Sequence, residues 1–104
     1  MPVTVVATMK AKPESVDTVR DACKAAIETV HGEPGCDLYS LHESDGTFVF
    51  VEQWADADAL KTHSTAPGVT ALFGAIGEHL DGAPDIKMLQ PVVAGDPSKG
   101  QLRP

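Results

Sequence analysis

The chain has 104 residues and a formal charge of −7, from 8 basic and 15 acidic side chains. This length fits a single domain, since most domains have about 100–150 residues. A negative surface repels phosphate backbones and anionic lipids, so we expect neither nucleic acid nor membrane as a partner. No apolar run approaches the ~18 residues of a membrane span, and the first residues lack a secretory leader pattern. Because the two cysteines also lie outside any Cys-x-x-Cys motif, we expect a reduced, cytoplasmic domain.

The first two elements are predicted to be a strand and a long helix. Residues 3–9 are short and largely β-branched, which favours a strand. Pro13 then suits the first turn of a helix. The apolar positions of that helix recur at helical spacing: Val16, Val19, Cys23, Ala26, Ile27 and Val30. Gly32 ends the helix, and Glu33-Pro34-Gly35 forms a turn.

A β-hairpin follows, with strands over 36–43 and 47–54 joined by Ser44-Asp45-Gly46. The second strand places its largest side chains on one face: Phe48, Phe50, Glu52 and Trp54. Its opposite face also carries apolar side chains, Val49 and Val51. We therefore expect both faces of the sheet to be covered.

The remaining elements follow in chain order: a helix over 57–64 capped by Asp56, a break at Ala66-Pro67-Gly68, a helix over 69–80 and a strand over 86–93. Residues 1–93 then make one domain. The tail, residues 94–104, is rich in Gly, Pro and charge, so it is either flexible or laid along a partner.

The order β-α-β-β-α-β predicts an α+β, ferredoxin-like fold with an antiparallel sheet. In this plan the helices cover only one face of the sheet. Since the other face also carries apolar residues, we expect a second copy of the chain to cover it across a two-fold axis. The sequence thus predicts a homodimer.

Motifs for the commonest cofactors and hydrolases are absent. The chain contains no GxGxxG, P-loop, GxSxG or HExxH pattern, and its four histidines have no recognised metal-ligand spacing. We therefore expect neither a cofactor nor a metal.

His63 and Glu52 are the strongest candidates for chemistry. His63 lies at the end of the short helix, where its side chain can point into the gap between helices and sheet. A histidine there can act as a general base, although a bond to a backbone carbonyl or to solvent would equally satisfy it. Glu52 shares a strand face with Phe50 and Trp54, and a buried carboxylate needs a partner. That partner could be a structural ion pair, a bond across a subunit interface, or a substrate.

Several of these residues together resemble the antibiotic biosynthesis monooxygenase family. The resemblance covers residues 3 to about 93, and E-x-W, A-L and H in this order are its most specific part. The residues that carry it are Glu33-Pro34-Gly35-Cys36, Tyr39, Phe48 to Trp54, Ala59-Leu60, His63, Pro67 and Phe73. Members of the family are ferredoxin-like α+β dimers whose sheets pack into a shared barrel. This resemblance therefore implies a dimeric α+β barrel.

The best-known members of the family are cofactor-free oxygenases of quinols or anthrones, so the resemblance implies a monooxygenase that uses O₂ and a small aromatic substrate. His63 would then be the base, and Tyr39 a possible hydrogen-bond donor. The substrate pocket would comprise Trp54, Phe50, Tyr39, Glu52 and Phe73. The residues that one anthrone-oxidising type uses besides its Trp are absent here, because Phe50, Leu60 and Phe73 stand at or near their positions. Two alternatives remain open, a cofactor-free isomerase of a small carbonyl compound and a non-enzymatic ligand-binding dimer.

Overall fold

The computed structural model describes all residues, Met1 to Pro104. It contains one four-stranded sheet: β1 Val3–Lys10, β2 Cys36–Ser44, β3 Thr47–Trp54 and β4 Asp85–Leu89. The strands are ordered β2-β3-β1-β4, and each neighbouring pair is antiparallel. Three helices complete the domain: α1 Val16–His31, α2 Ala57–Ser64 and α3 Pro67–Ile76. This arrangement confirms the predicted α+β, ferredoxin-like fold.

The β2–β3 hairpin closes with a two-residue turn. Asp45 and Gly46 both have positive φ angles, 46° and 80°, and Ser44 pairs with Thr47. Two consecutive positive φ angles match the turn type that joins twisted antiparallel strands, and Asp-Gly is a favoured sequence for it. This turn fixes the register that puts Glu52 opposite Tyr39 on β2.

The second half of the chain departs from the predicted boundaries. The helix expected over 69–80 ends at Ile76 and continues only as a 3₁₀ turn, Gly77–His79. Glycines at 74 and 77 weaken helix formation there, because glycine has a low helical propensity. The strand expected over 86–93 ends at Leu89, since Pro91 has no N–H to donate to a strand partner.

The hydrophobic core lies between the helices and one face of the sheet. Its largest fully buried side chains are Trp54, Phe48, Phe50, Met9, Ile76, Val19, Val30 and Cys23. The opposite face of the sheet, which we call the open face, carries Val6, Val49 and Val51, each half-buried. After Leu89 the chain forms no further helix or strand, and Arg103 of the tail lies beside β2.

Candidate active site

A cavity of about 700 Å³ lies between the helix-covered face of the sheet and the helices α2 and α3. Hydrophobic residues make up 13 of the 19 that line it. The sheet supplies the floor through Val3, Val5, Ala7, Met9 and Phe50, and the helices supply Leu60, Val69, Leu72 and Phe73. Both this size and this apolar lining are typical of small-molecule sites.

His63 lines this cavity from the last turn of α2 and is 6% exposed. Its Nδ1 lies 2.9 Å from Glu33 Oε1, a residue of the turn between α1 and β2. Its Nε2 lies 3.9 Å from Glu52 Oε1, which is beyond hydrogen-bond distance. Nε2 therefore makes no hydrogen bond within the chain and can accept a proton from a bound molecule.

Gly35 lets the turn that carries Glu33 approach α2. Its φ angle is +79°, a conformation that favours glycine. A Cβ at this position would lie 2.6 Å from the Cβ of Ala59, so any larger residue would push the turn and α2 apart. The close approach is what brings the Glu33 carboxylate to the imidazole of His63.

Glu52 is a carboxyl group held in apolar surroundings. The pKa of Glu52 is raised from 4.5 to about 7: burial is the main cause, a hydrogen bond from Trp54 opposes the shift, and the nearby charge of Glu33 adds to it. That bond runs from the indole Nε1–H to Glu52 Oε1 over 2.9 Å. Near neutral pH, Glu52 can therefore either donate or accept a proton inside the cavity.

Trp54 lies behind the cavity rather than in it. The sequence predicts its indole in the substrate pocket, but the side chain is fully buried and is not among the residues that line the space. Instead, the ring packs against the imidazole of His63, with the centroids 4.3 Å apart. Trp54 therefore supports both functional side chains, by packing on His63 and by donating a hydrogen bond to Glu52.

Tyr39 and the two phenylalanines do line the cavity. The Tyr39 ring stacks on Phe50 at 4.4 Å, and its centroid lies 5.6 Å from that of His63. Burial raises the pKa of Tyr39 well above its ordinary range, so the phenol stays protonated. Its hydroxyl makes no hydrogen bond within the chain. Phe73, by contrast, lies at the rim and is 36% exposed.

The fold therefore brings five of the six predicted residues to one cavity: His63, Glu52, Tyr39, Phe50 and Phe73. His63 bonds to a carboxylate rather than to a backbone carbonyl, and Glu52 receives an indole N–H from its own strand. Sequence reasoning missed the contact of Glu33, whose only signal was its place in the Glu-Pro-Gly-Cys motif.

The chain is similar to a known protein family. The model of the family described as "Antibiotic biosynthesis monooxygenase" matches residues 2–75. The chain belongs to this family. The match ends within α3, so it includes every residue of the polar cluster around His63.

Individual relatives agree with this assignment. The Mycobacterium tuberculosis protein named "Putative monooxygenase Rv0793" is 29% identical over 93 residues, which cover 88% of this chain and 92% of that protein. Its structure aligns with a TM-score of 0.86, covering 92% of this chain and all (100%) of that one. A Caulobacter crescentus structure named "putative antibiotic biosynthesis monooxygenase" aligns with a TM-score of 0.79 and 33% identity, covering 85% and 87% of the two chains.

A third relative is longer than this chain. An uncharacterised protein of Synechocystis sp., named sll1783, is 33% identical over 69 residues. These residues cover 64% of this chain and 47% of that protein, so the match spans about half of the relative's length.

The structure contains neither a candidate metal cluster nor a helix that could span a membrane. No group of three or more His, Cys, Asp or Glu side chains is arranged to hold a metal ion. None of the helices combines the length and apolar character needed to cross a bilayer.

Proposed function

We propose that this protein is a cofactor-independent monooxygenase that oxidises a small aromatic quinol or anthrone-like substrate with O₂. One observation carries the proposal: the unpartnered Nε2 of His63 faces an apolar cavity of about 700 Å³. Membership of the antibiotic biosynthesis monooxygenase family supports it.

The proposed reaction begins with removal of a proton by His63 Nε2 from a phenolic hydroxyl or an activated carbon. Triplet O₂ reacts poorly with neutral closed-shell molecules, whereas an electron-rich anion can give up a single electron to it. The substrate radical and superoxide then combine to form a C–O bond, and the resulting peroxide takes the proton back from His63. The protein's part in these steps is to supply a base and to exclude water.

The second half of the reaction releases water. The carbon that bears the peroxide loses its remaining C–H proton, and the electron pair forms a carbonyl group as the O–O bond breaks. The departing hydroxide takes up a proton. Overall, a CH group ortho or para to the hydroxyl, or a CH₂ group of an anthrone, becomes C=O, and the second oxygen atom leaves as water. The four electrons that O₂ accepts all come from the substrate.

The other residues of the cavity have distinct proposed roles. Tyr39 keeps its proton and so can donate a hydrogen bond to a substrate oxygen. Phe50 lies on the floor of the cavity and Phe73 at its rim, where they can contact an aromatic ring. Glu52, with a pKa of about 7, can return a proton to an oxygen that develops negative charge.

The test is oxygen consumption by metal-free protein with a panel of hydroquinones, naphthoquinols and anthrones. We expect catalysed uptake above autoxidation, and a loss of about 10²–10⁴-fold in His63→Ala, the usual contribution of a general base. The matched control is His79→Ala, because His79 lies in the 3₁₀ turn after α3 and is absent from the cavity lining. Uptake that survives in His63→Ala would contradict the role of His63. A panel without any catalysed uptake would contradict the oxygenase proposal.

A second candidate is a cofactor-free isomerase of a small carbonyl compound. The observation that favours it is the pairing of a free imidazole nitrogen with a carboxyl group of pKa about 7, their nearest atoms 3.9 Å apart. A base that removes an α-proton beside an acid that protonates the carbonyl is the arrangement enolisation needs. The isomerase would convert its substrate with no oxygen consumption, which separates the two candidates in the same assay. A ligand-binding protein without turnover would show neither.

We also propose that the protein forms a homodimer through the open face of the sheet. Val6, Val49 and Val51 are only half-buried in the single chain, and Leu89 on the same face is 45% exposed. Covering such a face across a two-fold axis buries the same residues twice. Light scattering at micromolar protein should give twice the chain mass of 10.9 kDa. A species of single-chain mass alone would contradict the dimer.

A further inference from the structure

We propose that Glu33 is a positioning residue that fixes the proton of the neutral His63 imidazole on Nδ1 and so keeps Nε2 available to the cavity. The inference rests on the proposed function, in which Nε2 is the base. It assigns a role to a residue that does not itself line the cavity.

The geometry of the pair fixes the tautomer. Glu33 Oε1 and His63 Nδ1 are 2.9 Å apart, and the two side chains are 13% and 7% exposed. A carboxylate oxygen can only accept a hydrogen bond, so Nδ1 must donate. In a neutral imidazole the other nitrogen then carries a lone pair. Such a partner on the far nitrogen is the usual means of orienting a functional histidine.

The second oxygen of Glu33 argues against a purely structural role. Glu33 Oε2 is buried and has no hydrogen-bond partner. A buried acceptor without a partner destabilises the fold, so packing a turn against a helix does not by itself account for this carboxylate. The first turn of α3 offsets part of that cost, since a Cβ at Gly68 would lie 3.4 Å from Oε2 and helix N-termini favour negative charge.

None of the other residues that contact the imidazole can fix its proton on Nδ1. Trp54 packs on the ring face, and Tyr39 meets the ring at an angle of 65° with no hydrogen bond. Glu52 is the second carboxyl group beside the ring, and its Oε1 lies 3.9 Å from Nε2. Without Glu33, nothing within the chain would distinguish the two tautomers in favour of a free Nε2, and Glu52 would favour a proton on Nε2.

The test is the tautomer itself, measured by ¹⁵N NMR of the His63 ring at alkaline pH in the wild type and in Glu33→Gln. The glutamine amide can both donate and accept, so we expect the wild type to be protonated on Nδ1 and the variant to populate the Nε2–H form. The matched control is Glu28→Gln, the same change at an exposed glutamate near the end of α1, and it should leave the ring signals unchanged.

Oxygen uptake gives the second measurement. We expect Glu33→Gln to lower kcat by about 10–100-fold, with KM nearly unchanged, on the scale of partners that orient a functional histidine. A wild type protonated on Nε2 would overturn the inference even if the variant fails to fold. So would a folded Glu33→Gln that keeps the Nδ1–H tautomer. If the tautomer responds as expected but no quinol is oxidised, the role of Glu33 stands and the proposed function fails.

Discussion

The two ends of the cavity are built differently. At the closed end, defined by Tyr39, Glu52 and His63, every side chain is at least nine-tenths buried and packs on aromatic rings. At the open end, defined by Phe73, Ile86 and Met88, the side chains are 36%, 50% and 70% exposed. The three residues of the closed end carry polar, titratable groups, whereas the three residues that define the open end are apolar. The contrast separates the residues that can perform chemistry from those that can only meet the substrate.

This difference has an energetic cause. Burying Glu33, Glu52 and His63 costs stability, and the cost is acceptable only where the groups are paired or neutral. The exposed apolar side chains of β4 and α3 are unfavourably hydrated. A bound aromatic ring that covers them removes this apolar surface from water and so gains binding free energy. Changes at the closed end should therefore act on rate, on stability and on their pH dependence. Changes at the open end should act on substrate affinity.

The largest effect is expected at Glu52, through the pH dependence of stability. The pKa of Glu52 is about 7 in the folded protein and 4.5 in its ordinary state. Between these two values the folded protein keeps a proton that the unfolded chain releases. The stability that Glu52 contributes is therefore fully present below pH 4.5 and is lost as the pH rises through about 7. Glu52→Gln should abolish that loss of about 3 kcal/mol.

Urea unfolding of the wild type and of Glu52→Gln between these two pH values measures the effect. The difference in free energy of unfolding should move in favour of the variant as the pH rises. The matched control is Glu43→Gln at an exposed end of β2, where an arginine lowers the pKa of the carboxyl instead. Parallel pH curves for the wild type and Glu52→Gln would contradict the raised pKa.

The sequence predicted which residues lie at the closed end of the cavity, but it did not predict the contact between His63 and Glu33. Alternation along β3 placed Phe50 and Glu52 on one face because the side-chain period of a strand is fixed at two. The break at Pro67 then placed His63 near that face. The pairing of His63 with Glu33 spans 30 residues and depends on how close a turn approaches a helix, which no local spacing records.

The position of Trp54 shows a second limit. The sequence correctly predicted the face of β3 on which Trp54 lies. That face extends beyond the cavity, so a residue on it need not line the cavity. Whether a given residue lines the space or lies behind it depends on where α2 crosses the sheet. The helix and strand boundaries after residue 76 were wrong for a different reason, because glycine and proline end elements that hydrophobic spacing alone would continue.

A smaller effect is expected at Trp54, which acts on Glu52 from behind the cavity. Trp54→Phe removes the indole N–H and leaves Glu52 Oε1 without its donor, which should cost about 1–3 kcal/mol. The cost should be larger above neutral pH, where Glu52 is ionised. Since Trp54 is the only tryptophan, unfolding is followed by circular dichroism.

A double-mutant cycle isolates this contact. In the Glu52→Gln background, Trp54→Phe should cost less at high pH than it does in the wild type, because the charged acceptor is gone. An equal cost in both backgrounds would mean that the indole stabilises the fold through packing alone and has no influence on the carboxyl.

The smallest effect on the fold is expected at the open end. Met88 is 70% exposed yet lines the cavity, so Met88→Ser should change the free energy of unfolding by no more than about 0.5 kcal/mol. It should raise KM for an aromatic substrate about fourfold, the equivalent of roughly 0.8 kcal/mol for one methylene no longer buried by the ring. The turnover number should stay the same, because the base and its partners lie at the closed end.

Val92→Ser provides the comparison, since Val92 is 88% exposed and lies outside the cavity. That variant should match the wild type in KM, kcat and stability. If Met88→Ser instead lowers kcat and leaves KM unchanged, the two ends are coupled, and the substrate must reach the base through a movement of β4. An unchanged KM and kcat would mean that the substrate binds wholly within the closed end, which would reduce the usable volume and exclude fused-ring substrates that extend to the rim.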